Sequence, residues 1–190
     1  MNNNAKQMMR GIMAKFKREV PPGQRLEEAG LVANAIEASP LFITARTILA
    51  YHALPDELPT AAALARWQAT GRRILLPRVM PDGMLELADM AHGLTTDNRY
   101  HIAEPTGPSV DPSAVDLAII PAVAVDRDGY RLGRGGGYYD RLLPHLRCPV
   151  IAAVLSCQLV ELVPREKHDV PVNAIACRDT LLYIGQATDN

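Results

Sequence analysis

The sequence predicts an α/β fold with a mostly parallel sheet covered on both faces. Three observations carry this. Apolar runs of strand length alternate with segments of helical periodicity. The runs "RTILAY" (46–51), "RILLP" (73–77), "VDLAIIPAVAVD" (115–126) and "PVIAAVL" (149–155) are apolar almost throughout, as strands buried on both faces are. The 190 residues, 48% of them apolar, suit one domain spanning 1–190. A domain of that size buries about 70% of the surface its unfolded chain exposes.

In "KQMMRGIMAKFKRE" (6–19), Met9, Ile12, Met13 and Phe16 recur at helical spacing. They are expected to form the inward face, with Lys6, Arg10 and Lys17 elsewhere. The Met residues read as core filling. "PPG" (21–23) stops this helix. A second helix is expected over 25–38, with Leu26, Val32 and Ile36 inward. After the first strand, "LPDELPT" (54–60) is loop. Thr60 is placed to cap a helix through Ala69, which Gly71 closes. Trp67 reads as core packing. "DG" (82–83) turns the chain into "MLELADM", and "EPTGPSVDPSA" (104–114) is a connecting loop. "RDGYRLGRGGG" (127–137) is irregular and "YYDRLLPHL" (138–146) helical. "QLVELVP" (158–164) reads as a helical turn or two, and "NAIAC" and "LLYIG" as closing strands.

Composition excludes several classes. Twenty basic and 21 acidic residues leave a formal charge of −1, with no basic stripe. Nucleic acid is therefore not the expected partner. Cys148, Cys157 and Cys177 are odd in number and form no C-x-x-C pair, and the five His lack metal-ligand spacing. A reducing, cytoplasmic setting fits. "MNNNAKQMMR" has no signal-peptide core, and no apolar run reaches membrane-span length.

The stretch that asks for chemistry is "RLGRGGGYYDR" (131–141). It fails as a P-loop, because no Lys follows the glycines, and as a dinucleotide fingerprint, because Tyr138 stands where a Gly should. It still suits an anion cradle. Backbone amides of Gly135, Gly136 and Gly137 can face anionic oxygens, with a helix start behind them. Arg131 and Arg134 can add charge-assisted bonds. Asp140 can hold magnesium against phosphate. The tyrosines can close on a flat ligand. A sharp turn before a helix is the structural alternative. The density of Gly beside Arg and Asp outweighs it, because turn chemistry alone rarely asks for so much.

"PAVAVDRDGYRLGRGGGYYDRLL" (121–143) resembles the signature of the 5-formyltetrahydrofolate cyclo-ligase family, also called methenyltetrahydrofolate synthetases. The resemblance extends over 6–184. "KQMMR", "YHALPDELPT", "LLPRV", "IAEP" and "VPREKHDVPVNAI" support it. It implies a three-layer α/β/α sandwich. It also implies an ATP- and magnesium-dependent conversion of 5-formyltetrahydrofolate to 5,10-methenyltetrahydrofolate through a phosphorylated formyl group, releasing ADP and phosphate.

Residue by residue, it implies that Lys6 and Arg10 bind ATP phosphates. Arg131, Gly133, Arg134, Gly135, Gly136, Gly137, Tyr138 and Tyr139 form the ATP segment. The part from Arg134 to Tyr138 also lines the folate site, so Arg134 and Tyr138 are placed at the reaction centre. His52 and Glu57 are substrate contacts, Glu57 by its carboxylate. Asp140 and Asp169 are the magnesium ligands. Arg78, after a strand, is a further candidate. Asn173 departs from the family, which often has an acid there. The partners implied are reduced folate and ATP, with no nucleic acid and no membrane, and the assembly a monomer or weak homodimer. A non-catalytic folate- or nucleotide-binding relative, or another enzyme on a similar scaffold such as a sugar-phosphate isomerase, is the alternative. A need for ATP separates these readings.

Overall fold

A computed structural model describes residues 2–98, 102–166 and 169–185. Three helices open the chain: α1 (Asn2–Glu19), α2 (Pro22–Glu37) and α3 (Pro40–Thr44). Proline at the first position starts α2 and α3, where its missing N–H costs nothing. Ser39 caps α3 by accepting a hydrogen bond from Phe42 N. Next come β1 (Thr47–Leu49), α4 (Ala61–Ala69), β2 (Arg73–Val79), β3 (Leu85–Asp89), β4 (Leu94–Thr95), β5 (Glu104–Pro105) and β6 (Ser109–Val110). The remainder holds β7 (Leu117–Ile120), β8 (Ala124–Asp126), β9 (Arg131–Leu132), α5 (Tyr138–Leu142), β10 (Val150–Val154), β11 (Leu159–Val160), β12 (Ala174–Cys177) and β13 (Thr180–Tyr183).

The main sheet runs β13-β12-β10-β7-β1-β2-β3-β6. Its five central strands, from β12 to β2, pair in parallel, and both flanks are antiparallel. Alternation along each strand builds two cores. Ile48, Leu117, Ile119, Ile151 and Ala153 pack under α2, α3 and α4. Leu49, Ala118, Ile120, Ala152 and Val154 face the opposite layer, with Leu142 of α5 and Val125 of β8. That layer is thin. Pro144 falls in the turn after α5, so the helix gives way to a 3₁₀ turn at Leu143–His145. A small β11-β8-β9 sheet completes the layer.

Several expectations need correction. The inward face of α1 keeps only half of the apolar set, Met9 and Met13. Met13 is buried, but Ile12 and Phe16 are exposed, and Lys17 is buried at 3% exposure. Met13 packs on Val123, Ala124, Leu132 and Val163, worth about 1.5–3 kcal/mol of burial. Met9 packs partly buried on the same cluster, and the rest of that face is Lys6, Arg10 and Lys17, each paired across to another segment. Leu26 of α2 is exposed, whereas Glu28 is buried and accepts from Ser156 N and Oγ. Thr60 precedes α4 but makes no cap bond. Its hydroxyl donates to Tyr51 O and accepts from Ala53 N, fixing the β1–α4 loop instead. The 158–164 segment is not helical: Gln158 closes a 3₁₀ turn and β11 pairs with β8. The 127–137 stretch is partly regular, since β9 pairs with β8. The 104–114 loop contains β5 and β6. Trp67 is core, 5.4 Å from Phe42 between ring centroids.

Candidate functional site

Ligand sites in parallel α/β sheets gather beyond the carboxyl ends of the strands. Here Tyr51 and His52 follow β1, Pro77 and Val79 lie in the last half of β2, and Pro121, Ala122 and Val123 follow β7. These residues wall an apolar cavity of about 360 Å³. Glu57, Glu104, Arg134, Gly136, Tyr138 and Tyr139 complete it. A second, polar cavity of about 180 Å³ lies beside it, lined by Lys6, Arg10, Gly135, Glu166 and Asp169 among others. Arg131, Gly133, Gly137 and Asp140 line both cavities, so the glycine loop is their common wall.

The glycines have distinct reasons. Gly135 and Gly137 sit at φ +101° and +67°, where a side chain is strained. Gly136 does not. A Cβ there would stand 2.6 Å from the Tyr138 ring, so its emptiness lets that ring fold over the loop. Arg10 lies against Gly135, and its Nε donates to Gly133 O at 2.8 Å. Arg131, 5% exposed, donates to Asp140 Oδ1 at 2.6 Å. The Arg131 guanidinium lies 6.0 Å from the centre of the Tyr139 ring.

Lys6 spans Asp169 at 2.8 Å and Glu166 at 3.0 Å. Burial alone would lower the Lys6 pKa, but these two carboxylates outweigh it and hold the ammonium above its ordinary value. On the other side of the loop, Arg134 pairs with Asp56 and, at 3.0 Å, with Glu57. Glu57 Oε2 also accepts from Leu54 N at 2.9 Å. Asp56 continues to the buried Lys17 at 2.5 Å, so a chain of charges joins α1, the β1–α4 loop and the glycine loop. Burial pushes the Tyr139 phenol up, helped by Glu57 and opposed by Arg131.

The candidates read from the sequence therefore converge. Lys6, Arg10, Gly135 and Asp169 line the polar cavity, while His52, Glu57, Arg134, Gly136, Tyr138 and Tyr139 line the apolar one. Arg78 does not join them. Strand alternation turns it away, to Glu86 at 2.7 Å and Gly107 O at 2.8 Å. Asn173 lies at the other end of the sheet, where its Oδ1 accepts from Val150 N, so the departure there does not touch the site. His101 and His168 lie outside the described residues. Sequence reasoning missed Lys17, Asp56 and Glu104. The only signals for them were a charged residue at helical spacing from Lys6 and Arg10, and acids in the quoted "LPDELPT" and "IAEP".

Asp140 and Asp169 face one polar cavity from separate segments. No trio of His, Cys, Asp or Glu gathers among the described residues. Two oxygen donors beside an anion cradle suit magnesium, which keeps several waters and phosphate oxygens as its other ligands. They fit it better than zinc, which takes His and Cys.

One apolar and one charged cavity share a glycine-rich wall, an arrangement with room for two ligands side by side. The profile of the 5-formyltetrahydrofolate cyclo-ligase family matches residues 2–178, and the chain belongs to this family of ligases. A 5-formyltetrahydrofolate cyclo-ligase of Mycolicibacterium smegmatis is 32% identical over 185 residues, covering 92% of this chain and 94% of the relative. That of Escherichia coli K12 is 31% identical over 168 residues, covering 84% and 92%. The Aquifex aeolicus 5,10-methenyltetrahydrofolate synthetase structure superposes with a TM-score of 0.85 at 25% identity, covering 97% of this chain and 95% of that one.

Proposed function

We propose that the chain converts 5-formyltetrahydrofolate to 5,10-methenyltetrahydrofolate, as the names of its relatives suggest, and that it does so at the expense of ATP. The observation that carries this is the shared wall: one loop faces both an apolar cavity of about 360 Å³ and a charged cavity where Lys6, Arg10 and Arg131 stand beside Asp140, Glu166 and Asp169. The pteridine lies in the first, against Tyr138 and Glu57. The ATP phosphates lie in the second, with Lys6, Arg10 and Arg131 and the glycine amides as donors.

The chemistry follows from this placement. A formamide carbon is a poor electrophile and its oxygen a poor leaving group. The formyl oxygen attacks the γ-phosphorus and ADP departs. The carbon is then activated as an imidate phosphate. N10 attacks it, the C–O bond breaks, and the departing phosphate carries off the N10 proton. Arg134 and Arg131 neutralise charge where phosphorus moves between the cavities, and Tyr138 covers the ring. The loop supplies positioning and fixed positive potential, which is most of what phosphoryl transfer needs from a protein. Asp140 and Asp169 would hold a magnesium ion, which screens the phosphate charges when bound.

The chain works as one domain, since the two adjoining cavities together draw on residues from Lys6 to Asp169. A monomer or weak homodimer suffices, because residues of one chain line both cavities. No helix among the described residues is long and apolar enough to cross a membrane, and the three unpaired thiols suit a cytoplasmic setting. Turnover of 5-formyltetrahydrofolate with and without magnesium-ATP tests the reading. Product without ATP would sink it.

A further inference from the structure

Glu104 stands apart from the charges of the glycine loop. It lies in β5, 7% exposed, in the apolar cavity among Val79, Leu85, Ile102 and Ala103. Its Oε1 accepts from Val79 N at 3.0 Å. Among the described residues, Oε2 has no hydrogen-bond partner and the carboxylate has no ion pair. Glu57, in the same cavity, is the reverse case. Its two oxygens already receive Leu54 N and Arg134 Nε, and the guanidinium neutralises its charge.

A buried carboxylate with one bond is costly. Satisfying the Val79 N–H alone needs only an amide oxygen, so Gln would serve. The open oxygen asks for a donor brought by the ligand. We infer that Glu104 reads the donor edge of the pyrimidinone ring, the 2-amino group and N3–H of a reduced folate. The inference rests on the folate reading proposed above. Two adjacent, coplanar N–H groups match a carboxylate, and no protein cation competes for it. Adenine does not match. Its 6-amino group lies beside ring nitrogens with lone pairs, which a carboxylate repels. Glu104 thus also steers the nucleotide base out of the apolar cavity.

The test is Glu104→Gln in the full chain, assayed for methenyl product with 5-formyltetrahydrofolate and with its 2-desamino-2-methyl analogue. The amide retains an acceptor for Val79 N, so Tm should stay near wild type. The KM for the folate should rise about tenfold to a hundredfold, the range for a lost bond to a charged group. The KM for ATP should not change. In wild type the analogue should lose a similar factor, and in Glu104→Gln it should lose little more, because both changes delete one interaction. An unaltered folate KM in the variant, or losses that multiply, would overturn the inference. So would an analogue used by wild type as well as the parent, a readout that needs no variant. Failure of wild type to turn over the parent compound would instead strike the proposed function.

Discussion

Replacing Asp56 with Ala should cost far more stability than replacing its partner Lys17 with Met, although both remove the same ion pair. Lys17 is 3% exposed, and Asp56, 41% exposed, is the acceptor of its Nζ. Asp56→Ala leaves a buried ammonium without that acceptor. Stranding one member of a fully buried pair costs about 3–5 kcal/mol. Water reaches this pair from the Asp56 side, so about 2–3 kcal/mol is expected. At ~2–4 °C per kcal/mol for a chain of this length, Tm should fall roughly 4–12 °C. Lys17→Met keeps the stem volume and removes the charge. Asp56 then keeps Arg134 and solvent, so the cost is about 0–1 kcal/mol. Thermal melts of both variants and the double variant decide the matter. The double variant should melt above Asp56→Ala alone. Equal losses from the two single variants would refute the claim that the charge is stranded.

Asp56 also sets an acid dependence. Burial would raise its pKa, but its bonds to Lys17 and Arg134 hold it below the ordinary value. A carboxyl depressed on folding contributes stability above its unfolded pKa of about 3.9 and loses it as pH falls through the folded value. The Tm gap between wild type and Asp56→Asn should therefore be full above about pH 4 and close below it. A gap independent of pH would contradict this. Gly136→Ala places a methyl 2.6 Å from the Tyr138 ring and must displace it. The KM for folate should rise at least several-fold with a smaller change for ATP, read from paired saturation curves. Asp140→Asn should raise the magnesium concentration needed for half-maximal turnover, and a chelator should stop turnover until magnesium is restored. Unchanged magnesium dependence would remove Asp140 from the metal site.

The sheet was legible because its central strands are buried on both faces and read as unbroken apolar runs. The glycine loop was legible as a cavity wall because Gly at that density is costly in an ordinary turn. The face of α1 was legible only in part. Apolar periodicity selected Met9 and Met13, which pack inward, but equally Ile12 and Phe16, which are exposed. The inward stripe adds Lys6, Arg10 and Lys17 to Met9 and Met13, and those charges are matched by segments far along the chain. Periodicity counts apolar residues, and a helix that lines a polar cavity is read only in part by that count. Arg78 failed for a simpler reason: strand alternation sends its neighbours Pro77 and Val79 to the cavity and Arg78 to the other face. Gly136 was legible only as one of three backbone amides; that a Cβ there would meet the Tyr138 ring, and that the positive φ angles of the triplet fall at Gly135 and Gly137, needed the structure.

The central claim is that one loop brings the γ-phosphate of ATP to a formyl group in the adjoining cavity. The most direct measurement mixes purified protein with 5-formyltetrahydrofolate and follows the absorbance of the methenyl product alongside released phosphate. Product and phosphate should appear together, one for one, only when ATP and magnesium are both present. Product formed without ATP, or phosphate released without product whenever folate is bound, would contradict the account.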